Sequence, residues 1–117
     1  MIKETEHMAL AAAKFADDKK AFDIVVLDIS KISIVADYFV IASANSSTQV
    51  KAIADNIEEK LQEAGHEVLR REGIREGRWV LLDYGDVVVH IFQEEERQYY
   101  GLERLWGDAR IVTYQVD

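Results

Sequence analysis

Asp83 and Asp86, two carboxylates flanking Tyr84-Gly85, are the pair in this 117-residue chain whose type and spacing suggest chemistry. Two carboxylates can hold a divalent ion for nucleotidyl transfer, but such a site also needs a phosphate cradle and basic groups. The sequence offers neither a Gly-rich loop nor a P-loop lysine. His7, His66 and His90 lie far apart, cysteine is absent, and no His-carboxylate group has metal-ligand spacing. Ser43, Ser46 and Ser47 lack the sharp turn that exposes a catalytic serine. The residues imply no cofactor, no metal and no catalytic set.

The carboxylates sit in residues 79 to 106, WVLLDYGDVVVHIFQEEERQYYGLERLW, which hold both tryptophans. Two apolar runs, Trp79 to Leu82 and Val87 to Phe92, flank a turn in which Gly85 supplies positive φ, so this is a β-hairpin. With Tyr84 and Gly85 as the loop, Asp83 faces Asp86, Leu82 faces Val87, and Trp79 faces His90. A four-residue turn would re-pair the strands and leave the alternation intact. By that alternation Val80, Leu82, Val87, Val89 and Ile91 share an aliphatic face, while Trp79, Leu81, Asp83, Asp86, Val88, His90 and Phe92 share a mixed one. Like charges opposite each other destabilise a strand pair, so a cation is expected near Asp83 and Asp86, from a partner or a metal. The mixed face is either a partner surface, or core under a helix with solvated turn carboxylates.

The elements around the hairpin make one α/β (α+β) domain, a mixed central sheet of about five strands flanked by helices. Residues 2 to 20 form an Ala-rich helix, 23 to 29 an aliphatic strand suited to burial on both faces, and 37 to 44 a second strand. Ser46 and Gln49 have capping-box spacing before a helix whose stripe is Val50, Ile53, Ala54, Ile57 and Leu61, ended by Gly65. His66 to Glu72 is a polar edge strand. After the hairpin, Glu94 to Glu96 begin a last helix with Tyr99, Leu102, Leu105 and Trp106 as its buried stripe. Ile111, Val112, Tyr114 and Val116 suit an added edge strand or a docking segment.

The net charge of −8 argues against a direct grip on nucleic acid and suits a basic protein partner. It also simply keeps a domain soluble. With no leader and no long apolar run, the chain reads as cytoplasmic or organelle-matrix and not membrane-embedded.

Four stretches, ADYFVIAS (36 to 43), SSTQVKAIADNIEEKL (46 to 61), WVLLDYGDVVVHIF (79 to 92) and YYGLERLW (99 to 106), resemble the ribosomal silencing factor family, RsfS or Iojap-like. Ala44-Asn45 depart from a commonly Gly-containing turn, and Gly101 interrupts the final helix. The resemblance implies a nucleotidyltransferase-like topology without the catalytic motif, often dimeric when free. It implies a cytoplasmic, non-enzymatic repressor that binds the large ribosomal subunit through ribosomal protein uL-fourteen. There it blocks subunit joining and lowers translation under nutrient limitation. Carried onto this chain, the third stretch makes Trp79, Leu81, Asp83, Asp86, Val88 and His90 partner contacts, with Tyr84 at the turn tip. The alternatives are a metal-dependent nucleotide enzyme using Asp83 and Asp86, and a structural dimerisation module.

Overall fold

The central pair of strands explains the rest of the architecture. A computed structural model describes residues 4–112, apart from the side chain of Leu105. In chain order the elements are α1 (Glu4–Asp17), β1 (Phe22–Asp28), β2 (Tyr38–Ala44), α2 (Ser47–Glu63), β3 (Arg70–Glu72), β4 (Trp79–Asp83), β5 (Val87–Gln93), α3 (Glu94–Tyr100), α4 (Leu102–Leu105) and β6 (Arg110–Val112). The six strands form one mixed sheet in the order β3-β4-β5-β2-β1-β6. Among the described residues only β2 and β5 run parallel, and the other pairings are antiparallel. All of β2 is buried, as a strand with neighbours on both edges and layers on both faces must be.

Alternation on β2 and β5 divides the core in two. Val40, Ala42, Val87, Val89 and Ile91 join Val80 and Leu82 of β4 under α1 and α2. Phe39, Ile41, Val88 and Phe92 point the other way, toward Ile29, Ala36, Leu102 and Trp106. The buried stripe of α1 is largely alanine, Ala9, Ala12, Ala13 and Ala16. Small side chains let that helix lie close to the sheet at little cost in side-chain entropy. Asn56 of α2 donates to the Phe15 carbonyl at 2.8 Å, fixing the two helices together.

Helix α2 begins and ends on local chemistry. The Ser46 hydroxyl accepts the Gln49 amide at 3.1 Å, and the Gln49 side chain accepts the Asn45 amide at 2.7 Å. This is a capping box displaced by one residue at its return bond. The Gln49 amide group also donates to the carbonyls of Lys19 and Lys20, tying the cap to the end of α1. At the other end the amides of Gly65 and His66 donate to the carbonyls of Gln62 and Leu61, a Schellman closure.

Several expectations need correction. The hairpin loop is Gly85-Asp86, not Tyr84-Gly85: Asp83 pairs with Val88, Leu81 with His90 and Trp79 with Phe92. Gly85, at φ 91°, occupies the first loop position, where a type II′ turn requires positive φ. Asp83 therefore does not face Asp86, though the shift is by two residues and each strand residue keeps its face. The last helix is two helices. Gly101, left-handed at φ 55°, ends α3 by donating to the Arg97 carbonyl, and the chain re-enters as α4. Tyr99 consequently stands 82% exposed instead of packing in a continuous stripe. The first strand is buried on both faces only at Val26 and Leu27, which enter opposite cores, while Phe22, Ile24 and Val25 are partly covered. The edge strand from His66 shrinks to β3, and Ile111 and Val112 do form an added strand, β6, on β1. Tyr114, Val116 and the Leu105 side chain lie outside the described residues.

An ion cluster fastens that added edge. The Arg110 guanidinium donates to Asp28 Oδ2 and Glu6 Oε1, both at 2.9 Å, and the Tyr38 hydroxyl donates to Glu6 at 2.9 Å. The bonds from Arg110 and Tyr38 hold the Glu6 carboxyl below its usual range, and burial with the Glu6 contact pushes the Tyr38 hydroxyl up to about 12.

Ile53, Ile57 and Leu61 are at most 1% exposed. Truncating any one to Ala is expected to cost about 2 to 5 kcal/mol, read as a lower denaturation midpoint. An unchanged midpoint for all three would contradict their place in the core.

Candidate functional site

The residues singled out by sequence divide into three places. Trp79, Leu81 and Asp83 lie half-buried on the second face of β4, and Val88 and His90 sit beside them on β5, at 5% and 4% exposure. Asp86 is exposed at the hairpin tip, and Tyr84 folds against the helix-side core. Tyr84, taken from the sequence as a contact at the turn tip, continues the Val80, Leu82 alternation and so turns to the helix side. Burial, then the charge of Glu58, pushes its hydroxyl pKa up.

The second face is aromatic where the first is aliphatic. Trp79 stacks on Phe92 at 4.8 Å and leans on Tyr100 at 4.9 Å. Phe39 meets His90 edge-on at 4.8 Å and Trp106 at 5.4 Å. Such pairs add roughly 0.5–1.5 kcal/mol each beyond the area they bury. The Trp79 indole N–H donates to His90 Nδ1 at 3.1 Å, so the neutral imidazole carries its proton on Nε2. Neither that N–H nor the Trp106 indole N–H has an acceptor among the described residues. Burial lowers the His90 pKa to about 4, leaving the ring uncharged at neutral pH and suited to packing.

Asp83 accepts the Gly85 amide at 2.8 Å, forming the Asx turn that shapes the hairpin tip. The cation expected beside it comes from this chain: Arg70 of β3 approaches to 3.6 Å while also pairing with Glu72. Val88 is flanked in the sheet by Phe39 of β2 and packs in one cluster with Ile29, Ala36 and Trp106, and His90 meets the same Phe39 ring. Trp79 and Leu81, one strand further out, are not sealed. The face is therefore closed over β5 and half-open over β4. Among the described residues no cluster of three or more His, Cys, Asp or Glu could hold a metal ion.

Sequence reasoning missed Arg97. It is 8% exposed, forms a two-bond fork with Glu103 at 2.9 and 3.1 Å, and donates to Ser43 Oγ at 2.8 Å and to the Asp23 carbonyl. That carbonyl is available because β1 carries one extra residue between Phe22 and Val25, with Asp23 left-handed at φ 50°. A shallow cleft of about 860 Å³ opens beside Arg97, Ser43 and Arg104, and none of the predicted contacts lines it. The one visible signal was a lone arginine following Glu94, Glu95 and Glu96.

Fold and site together define a small α+β domain whose distinguishing feature is a half-open apolar strand face. The family model described as "Ribosomal silencing factor during starvation" matches residues 2–117. The chain is 56% identical over 101 residues to the "Ribosomal silencing factor RsfS" of Bacillus subtilis, covering 86% of each. It is 36% identical to the chloroplastic Iojap protein of Arabidopsis thaliana, spanning 91% of this chain and 44% of that one. A crystal structure of a Chromobacterium violaceum protein superimposes with a TM-score of 0.87 at 37% identity, covering 98% of this chain and 95% of the other. The chain belongs to the ribosomal silencing factor family.

The His90 environment sets a pH dependence. Its pKa of about 4 in the fold lies below the ordinary 6.5, so the unfolded chain binds the proton more readily. The resulting stability is present above pH 6.5 and lost as pH falls through the folded value, in all roughly 3 kcal/mol. His90→Asn keeps an acceptor for the Trp79 N–H and should flatten the melting temperature between pH 6.5 and 4.5. The carboxylates with lowered pKa, Glu6, Asp28 and Glu103, act below that window. Equal slopes in the two proteins would contradict the buried neutral imidazole.

Proposed function

We propose that this domain is a non-enzymatic translational repressor that binds the large ribosomal subunit through ribosomal protein uL-fourteen. By occupying volume on the joining surface it keeps the small subunit away, lowering translation in the cytoplasm when nutrients are scarce. Such a factor needs no chemistry, only affinity at the right place. The observation that carries the reading is the half-open face of β4, where Trp79 and Leu81 offer apolar area beside the Asp83 carboxylate. Apolar burial with a few carboxylates at its edge suits a basic protein surface, as does a net charge of −8. The family description, silencing of ribosomes during starvation, supports the same reading. Away from the ribosome the same face is free to meet a second copy, and a homodimer of the free protein belongs to this proposal.

Within this reading Trp79, Leu81 and Asp83 contact the partner directly. Val88 and His90 support them from the neighbouring strand, Asp86 contributes charge at the hairpin tip, and Tyr84 acts only by fixing the turn. Leu81→Ala should weaken co-sedimentation with purified large subunits while leaving the fold intact. Asp83→Asn retains an acceptor for the Gly85 amide and removes the charge. A charge that becomes desolvated on binding is worth roughly 2 to 5 kcal/mol of affinity, whereas one at the rim changes association rate and salt dependence. Trp79→Ala is a less clean probe, because its N–H also serves His90. Unchanged affinity and salt dependence for both Leu81→Ala and Asp83→Asn, with normal melting, would falsify β4 as the contact surface.

A further inference from the structure

The loop between β1 and β2 ends in an apolar tip that the fold leaves uncovered. Ile34 is fully exposed, Val35 is 70% exposed and Ile32 45%. Three β-branched side chains in solvent within four residues form a local patch, unlike singly scattered exposed apolar residues. The loop is firmly built. Its ends, Ile29 and Ala36, are buried in the second-face core. The Ile32 and Ser33 amides donate to the Ile29 carbonyl at 3.0 and 2.9 Å, and the Val35 amide to Ser33 Oγ at 3.0 Å. Ser30 donates twice to Asp28 Oδ1, at 3.0 Å from its amide and 2.6 Å from its hydroxyl. Side chains held on such a frame lose little further backbone freedom on docking.

The loop is also pinned to the hairpin tip, since the Asp37 amide donates to the Asp86 carbonyl at 2.8 Å. The end of the loop and the hairpin tip are thereby neighbours, with Asp37 and Asp86 on adjoining segments. Neither the Asp37 nor the Asp86 carboxylate has a hydrogen-bond or ion-pair partner among the described residues. Lys31 is the cation of the loop itself. An apolar point bordered by unpaired carboxylates repels polyanions such as nucleic acid or an anionic lipid surface, and fits a recess rimmed by Lys or Arg.

We propose that Ile34 and Val35, with Asp37 and Asp86 beside them, form a second docking point that inserts into an apolar recess on a basic protein surface. It rests on the reading above in taking that surface to belong to the large ribosomal subunit. Two points on adjoining sides of the hairpin tip fix the orientation of the domain, which one flat face does not.

Co-sedimentation with purified large subunits tests this, using the wild-type chain, the double variant Ile34→Ser/Val35→Ser, Lys31→Glu, and the control Ile111→Ser. Ile111 is equally open, at 70% exposure, but lies on β6. The double variant is expected to melt like the wild type and bind roughly tenfold or more weakly. Lys31→Glu is expected to bind more tightly at low salt, with a steeper salt dependence, and Ile111→Ser to bind normally. Normal binding by the double variant overturns the second docking point and leaves the β4 reading standing. Equal weakening by Ile111→Ser overturns it too, as general stickiness, and so does weakening by Lys31→Glu. Wild-type protein that fails to sediment with large subunits removes the reading above and this one together. Sedimentation with phosphatidylserine vesicles that depends on Ile34 overturns it in favour of a membrane contact.

Discussion

The parallel ladder between β2 and β5 is the constraint on which the domain depends. Parallel strands cannot be joined by a tight turn, so the chain must leave β2, cross the sheet and return before β5 can pair. The crossing consists of α2, β3 and β4, which simultaneously provides one covering layer and extends the sheet on the far side of β5. With both central strands buried on two faces, each face needs its own cover. The helices supply one. The other is assembled from the segment before β2, α4 and Trp106, pieces too short to cover every strand.

That shortfall makes the second face differ in kind from the first. Beneath α1 and α2 the side chains are mostly aliphatic, with Tyr38, Phe15 and Tyr84 among them, and the contact is largely between regular elements. On the opposite side large rings span a shallower and less regular cover, with Trp79, Phe92, Phe39, His90 and Trp106 in mutual contact. Rings bring polar edges with them, and among the described residues two N–H groups find no acceptor there. Unmatched donors cost stability, and the helix side carries one of its own at the Tyr84 hydroxyl. The half-open face of β4 lies at the border of this ring layer, with Trp79 and Leu81 only partly covered.

Features set by neighbouring residues were legible in the sequence. The α2 cap needs only Ser46 and Gln49, its end only Gly65, and the faces of β4 and β5 follow from period-two alternation. The hairpin register was not legible. Two loops, Tyr84-Gly85 and Gly85-Asp86, satisfy the same glycine, and the choice between them is made by burial of Tyr84 against the helix side, a tertiary event. Arg97 was illegible for a stronger reason. Its burial depends on a bulge at Asp23, 74 residues away, and on Ser43, neither of which marks itself in the local pattern. The candidate site was half legible: alternation placed Trp79, Leu81, Asp83, Val88 and His90 on one face, but how far each is covered depends on α4, whose direction is set by the left-handed residue Gly101. The apolar loop tip left no mark in the sequence because periodicity carries no information about exposure outside regular elements.

The pairing of β6 with β1 has a consequence for the order in which the chain can be completed. Arg110 follows Asp28 by 82 residues, so while the chain is being made β1 spends most of that time as an unfinished edge with free amides and carbonyls. Open edges invite pairing with other chains. β6 eventually covers only Val26 to Asp28, and the bulge at Asp23 bends the remainder out of the plane that a foreign strand would need. The left-handed aspartate thus interrupts the ladder on the stretch of β1 that β6 leaves uncovered, besides offering its carbonyl to Arg97.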